Sequence, residues 1–161
     1  MKKVLFENHH LYYLPNFIPI IEEMNRRGGY EIFSSIPAHM PQSEQSTFFN
    51  GCDALGIETI RSEDEQNRIQ SIREKSFDVV MVGNVGQLNE IVTASTLAVM
   101  VYHGIGLKQS YYNDIDPRID LRAVESESRL AELKSHGHSN LTLLSLIHIS
   151  EPTSLLSSSD A

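Results

Sequence analysis

Short apolar runs alternate along the chain with amphipathic or charged stretches. The runs fall at residues 3–6, 30–36, 56–60, 77–82 and 97–102, with a sixth candidate at 121–124. Each is brief and bounded by polar or turn-forming residues, which predicts buried strands rather than helices. Between them, residues 15–24 carry apolar side chains at spacings of three and four. Prolines are tolerated in the first turn of such a segment, and Gly28-Gly29 stops it, so a helix is predicted. Residues 63–75 predict a charged helix with Ile69 and Ile72 on one face, and its acidic opening, Glu63-Asp64-Glu65, reads as solvated. Residues 88–94 predict a short helix. Residues 126–135 predict another, with Ser126 or Glu127 near its start. Residues 37–56 read as a proline-bounded loop and a weak helix.

Strands that alternate with helices and are continuously apolar indicate a parallel sheet covered on both faces. The expected fold is therefore α/β, a Rossmann-like doubly wound domain with right-handed crossovers. In such sheets ligands sit beyond the carboxyl ends of the strands, where the strand order reverses. Two stretches fall at strand ends: Asn8-His9-His10 after the first strand, and His103-Gly104-Ile105-Gly106-Leu107-Lys108 after the fifth.

Composition narrows the function. The chain has 161 residues, 40% of them hydrophobic, which suits one domain with a real core. Thirteen Lys and Arg against 21 Asp and Glu give a formal charge of −8, so no nucleic-acid partner and no general attraction to an anionic bilayer is expected. The single cysteine, Cys52, excludes an internal disulfide, suits a reducing compartment and reads as a small half-buried residue. No apolar run approaches the roughly 18 residues of a spanning helix, and the start MKKVLFENHH does not read as a signal peptide.

The chemistry-bearing candidates follow from position. Gly104 and Gly106 permit close backbone approach, so their amides could face an anion, with Lys108 adding a point charge. The His103 imidazole, with an ordinary pKa of about 6.5, can take a proton from a hydroxyl near neutral pH. A plain strand-ending turn accounts for the same residues. His9 and His10 are candidates to bind acceptor phosphate or hydroxyl, one ring facing the cleft while the other packs or meets water. Tyr12 and Tyr13 read as packing residues. Gly83-Asn84-Val85-Gly86 could offer backbone amides or the Asn84 side chain to the cleft, or could simply turn the chain. Arg118 and Arg122 match phosphate geometry, although Asp114, Asp116 and Asp120 beside them also suit ion pairing. His136 and His138 read as helix-end residues beside a capping Gly137. Neither GxxxxGK[ST] nor a GxGxxG after the first strand is present, so no cofactor is expected. His9, His10 and His103 lack a carboxylate or cysteine at ligand spacing, so no metal is expected.

The stretch VYHGIGLKQSYYND, followed by Pro117-Arg118-Ile119-Asp120-Leu121-Arg122 and a helix ending near His136-Gly137, resembles the middle of the CDP-glycerol glycerophosphotransferase family. These are teichoic-acid-type polymerases and primases of two-domain glycosyltransferase-B architecture. The opening KKVLFENHHLYYLPNFIPIIEEMNRRGGYEI is similar to the first strand, histidine loop and helix of such enzymes, a likeness shared with many sugar-nucleotide enzymes. The resemblance covers residues 1–143 and is most specific over 100–125. It implies the amino-terminal, acceptor-side domain of a glycosyltransferase-B enzyme that moves glycerol phosphate from CDP-glycerol to the hydroxyl of a phosphate-containing acceptor. It implies His103 as general base, a cytoplasmic location and peripheral association with the membrane that carries a lipid-linked acceptor. It also places the donor-binding half beyond residue 143, so the fragment alone is expected to be inactive.

Residues 144–161 differ in kind. LSLIHISEPT resembles a translated sequencing adapter, and the serine-rich remainder does not continue an alternating domain, so this tail is expected to be non-native. Two other readings fit the strand-and-helix pattern. One is half of a sugar-nucleotide enzyme, a glycosyltransferase or a relative of UDP-N-acetylglucosamine 2-epimerase. The other is a stand-alone Rossmann-like binding module, although Asn8-His9-His10 lacks the acidic cluster of a receiver.

Overall fold

A computed structural model describes residues 1–102, 112 and 116–143. Seven strands form one parallel sheet: β1 (Lys2–Glu7), β2 (Tyr30–Ser35), β3 (Glu58–Ile60), β4 (Val79–Val82), β5 (Leu97–Val101), β6 (Leu121–Val124) and β7 (Leu141–Leu143). Their order is β3-β2-β1-β4-β5-β6-β7. The helices are α1 (Leu14–Arg27), α2 (Gln42–Ala54), α3 (Glu65–Lys75), α4 (Leu88–Ile91) and α5 (Glu127–Ser135), and a 3-10 turn, Leu11–Tyr13, leads into α1.

Alternation along each strand divides the core between the two faces of the sheet. Val4, Phe6 and Ile32 pack with Phe17, Ile21, Phe48 and Cys52 from α1 and α2. Leu5 and Phe33 pack on the other face with Ile72, Leu88 and Leu133 from α3, α4 and α5. Both faces are covered, so the fold is the expected α/β, Rossmann-like doubly wound sheet.

The helices show where local patterning was informative. Asp64 caps α3 by accepting a hydrogen bond from the Asn67 amide at 2.9 Å. The Ser126 side chain does the same for α5, accepting from the Arg129 amide at 3.2 Å. Gly28, at φ 71°, ends α1 with its N–H on the Met24 carbonyl. Pro19 sits inside α1 rather than in its first turn, because the helix begins at Leu14. Residues 42–54 make a full helix with Phe48 and Cys52 completely buried, stronger than its polar sequence predicts. Cys52 is accordingly buried rather than half-buried, and burial pushes its thiol up to about 11. The strand β7 was not predicted. Residues 144–161 lie outside the described residues.

The chain runs from β1 outward through β2 to β3, then crosses back to β4 on the other side of β1. The order therefore reverses between β1 and β4, whose registers pair Val4 with Val79 and Glu7 with Val82. Among the described residues no helix is long and apolar enough to cross a membrane.

Candidate functional site

Glu7 and Val82 are the last residues of the paired strands β1 and β4, so the segments that follow them meet at the carboxyl rim of the switch point. His9 Nε2 stands 3.3 Å from the Asn84 carbonyl oxygen. A carbonyl only accepts, so Nε2 carries the proton and Nδ1 holds a lone pair. Burial lowers the His9 pKa below 6.5, assisted by Arg68 and His10 and opposed by Glu7 and the Asn84 hydrogen bond. At neutral pH the ring is a neutral imidazole with an acceptor nitrogen.

Two glycines make this contact possible. A Cβ on Gly86 would lie 2.2 Å from the His9 ring, and one on Gly83 would lie 2.3 Å from the Tyr13 ring. The loop after β4 therefore serves as the floor on which two rings rest, which is a different use of its glycines from presenting amides to an anion. The Asn84 side-chain Nδ2 donates to the Tyr13 hydroxyl at 2.9 Å. Tyr13 is itself 2% exposed, so it is a packing residue, as read from the sequence, that also orients a site residue.

His10 takes the other side of the loop. Its exposed ring stacks on Tyr12, with centroids 5.2 Å apart and an interplanar angle of 15°. Together with Tyr12, Ile18, Glu44 and Thr47 it lines a groove of about 690 Å³ between the 3-10 turn and α2. The two adjacent histidines thus face different environments, one half-buried over β4 and one at the surface.

Beneath the rim lies a polar cluster that the sequence reading did not single out. Glu7 is fully buried and accepts from Arg68 Nη1, with both carboxylate oxygens at 2.9 Å. Ser35, at the end of β2, donates to Glu7 through a short hydrogen bond. Arg68 Nη2 also donates to Glu65 at 2.6 Å and to the Gln87 side chain at 3.3 Å. One guanidinium thereby ties α3 to the ends of β1 and β2 and to the loop after β4. Burial alone would raise the Glu65 pKa, but hydrogen bonds from Arg68 and from the Ala38 amide hold it below the usual value. Glu65 is thus an anchor, which corrects the reading of 63–65 as merely solvated. The available signal was the spacing: Arg68 lies four residues before Ile72 and shares its inward face.

Arg118 is not brought to this rim. Its Nη2 donates to the carbonyls of Thr93 at 2.8 Å and Thr96 at 2.6 Å, and its Nη1 pairs with Asp120 at 2.8 Å. Those partners precede β5 and β6, at the amino edge of the sheet. Parallel neighbours require the chain to return to that edge before each new strand, and Arg118 stands after the return. Arg122 is 3% exposed and donates to the carbonyls of Asp116 and Ser139. His136 receives the α5 terminus as expected, with Nδ1 2.9 Å from the Glu132 carbonyl, whereas His138 is buried and bonds the Tyr112 carbonyl at 2.8 Å. His103, Gly104, Gly106 and Lys108 lie outside the described residues. Their neighbour in sequence, Tyr102, follows β5 directly. Among the described residues no group of three or more His, Cys, Asp or Glu side chains is arranged to hold a metal.

A doubly wound Rossmann-like domain with Glu7, Asn8, Ser35 and Arg68 buried at the switch-point rim is the class that fold and site define. No family model matches the chain, and no curated protein matches it in sequence. Among solved structures it is similar to a Listeria monocytogenes protein assigned as a UDP-N-acetylglucosamine 2-epimerase, with a TM-score of 0.56 and 9% identity. The match covers 87% of this chain and 44% of that one. At this identity the likeness is one of fold, and the chain spans less than half the length of that structure.

Proposed function

We propose that the chain is one lobe of an enzyme that handles a nucleotide-activated alditol or sugar, presenting reacting groups from its carboxyl rim while a second lobe holds most of the nucleotide. The observation that carries this reading is the contact across the β1/β4 switch point, where a half-buried neutral His9 rests on the Asn84 backbone. Ligand sites in doubly wound sheets form at that place. A tuned imidazole there is suited to hydroxyl chemistry.

The first form of the reading is glycerophosphate transfer, supported by the resemblance of residues 100–125. His103 takes the proton of an acceptor hydroxyl and the freed oxygen bonds to the β-phosphorus of CDP-glycerol. The bridging phosphorus–oxygen bond then breaks, and CMP departs with its oxygen. A phosphate-containing, lipid-linked acceptor would bring the enzyme to a membrane surface. The second form, a hexose nucleotide as substrate, is favoured by the structural likeness to the Listeria protein.

One experiment separates the two. The reading frame is extended from the source DNA, and the longer protein is assayed for CMP release from CDP-glycerol and for conversion of UDP-N-acetylglucosamine. CMP release that falls at least about a hundredfold in His103→Ala supports the transferase form, the range expected for a general base. Turnover of the UDP-sugar alone supports the second. Turnover of neither rejects both.

A further inference from the structure

The unmet hydrogen-bonding groups at the β1/β4 rim specify the chemistry of what binds there. Asn84 Oδ1 is buried and has no hydrogen-bond partner, while its Nδ2 is held by the Tyr13 hydroxyl. Reversing the amide would let Tyr13 donate to Oδ1 and leave the NH2 group unmatched instead. In either orientation one end of the amide waits for a partner, and leaving it dry is destabilising. A hydroxyl donates and accepts, so it satisfies both cases. Asn8 adds a second unmatched acceptor at the same rim. It is fully buried, and its Nδ2 faces the Phe6 carbonyl, Ser34 Oγ and the Ser35 carbonyl, which leaves Oδ1 without a partner.

Among the described residues, two arginines near this rim are engaged by other groups. Arg68 is saturated by Glu7 and Glu65. Arg61, after the edge strand β3, turns to Asp53 at 3.5 Å and lies over the Phe49 ring. His9 is neutral, with a lone pair on Nδ1. The described part of the rim therefore offers acceptors and an uncharged ring, which suits hydroxyl donors and not an oxyanion.

We infer that the β1/β4 rim is a subsite for the hydroxyl groups of a neutral polyol, with His9 Nδ1 and the Asn84 side-chain amide as its direct partners. This deepens the proposed function and rests on its placing of the site at this rim. It narrows the expectation for His9 from phosphate or hydroxyl to hydroxyl, and names what the Asn84 side chain would meet in the cleft. The polyol is the alditol of one form of that reading or the hexose of the other, and the subsite holds it with its phosphate directed away.

The test uses the whole 161-residue chain. Isotope-labelled protein is titrated separately with glycerol, ribitol, N-acetylglucosamine and inorganic phosphate while the His9 ring and Asn84 side-chain NH2 signals are followed by NMR. Saturable shifts are expected with the alditols or with the hexose, at about millimolar affinity, and none with phosphate. Which polyol acts tells the two sources apart. Asn84→Ala should weaken the effect about tenfold, the loss of one hydrogen bond in a buried site. Should that variant not fold, Tyr13→Phe removes only the hydroxyl that orients the amide, keeps the ring over Gly83, and should weaken binding several-fold. Shifts with phosphate alone, no saturable shift with any polyol, or variants that bind polyol as well as the parent would overturn the inference. Absence of nucleotide turnover by the longer protein would reject the enzyme reading while leaving this titration intact, so the two failures are distinguishable.

Discussion

The site depends on what two glycines leave room for. Gly86 sits at φ +43°, and any side chain there would strike the His9 ring. Gly86→Ala should therefore destabilise the protein by more than about 1 kcal/mol, read from urea unfolding, and should displace the His9 ring signals. The buried ring also gives stability a pH dependence. Burial depresses the folded-state pKa of His9, so the unfolded chain binds the proton more readily. Stability contributed by neutral His9 is fully present above about pH 6.5 and declines as pH falls from there to the lowered folded value. Glu7 opposes this shift, while Arg68 and His10 reinforce it. His9→Gln should flatten the decline below pH 6.5, measured as the unfolding midpoint in denaturant; an unchanged slope would mean the ring is not desolvated. The pair of histidines was visible in the sequence, but not which ring turns inward. That choice is made by Gly86 and Asn84, distant in the chain and adjacent only once β1 and β4 are paired.

Among the elements, α3 contributes most to the rim. Its start is set by Asp64, and Asp64→Ala should cost about 1 kcal/mol in unfolding free energy, with the helical signal falling at its amino end. Strands β1, β4 and β5 were legible because burial on both faces leaves nearly continuous apolar runs. The helix over 63–75 was legible from Ile69 and Ile72. Arg68 was not, since a charged side chain on a helix is ordinarily solvated, and its burial makes sense only with Glu7 at the end of β1. β7 escaped notice because three residues carry no periodicity of their own; Leu141–Leu143 becomes a strand by pairing with Arg122–Val124. The strength of α2 was likewise tertiary, supplied by the contacts of Phe48 and Cys52 with α1 and the sheet.

At the scale of the molecule, one buried ion pair joins the sheet to the α3 side of the rim. Removing Arg68 leaves the Glu7 carboxylate buried and unpaired, so Arg68→Met should lower stability by about 3–5 kcal/mol. Adding Glu7→Gln to it should recover part of that loss, which a double-mutant cycle measures. The sheet order was foreseeable as a class, because alternating strands and helices admit few topologies. The side of the sheet on which Arg118 falls was not: its distance in sequence from residue 103 hides a full return from one rim to the other. Among the described residues, Asn8 and Asn84 each hold an unmatched side-chain oxygen where β1 and β4 end, beside His9. The most direct measurement is a map of backbone amide shifts in the 161-residue chain on adding CDP-glycerol or UDP-N-acetylglucosamine. The perturbed signals should cluster at residues 7–13 and 83–87. Shifts confined to the amino edge around Thr93, Thr96 and Arg118 would contradict the account.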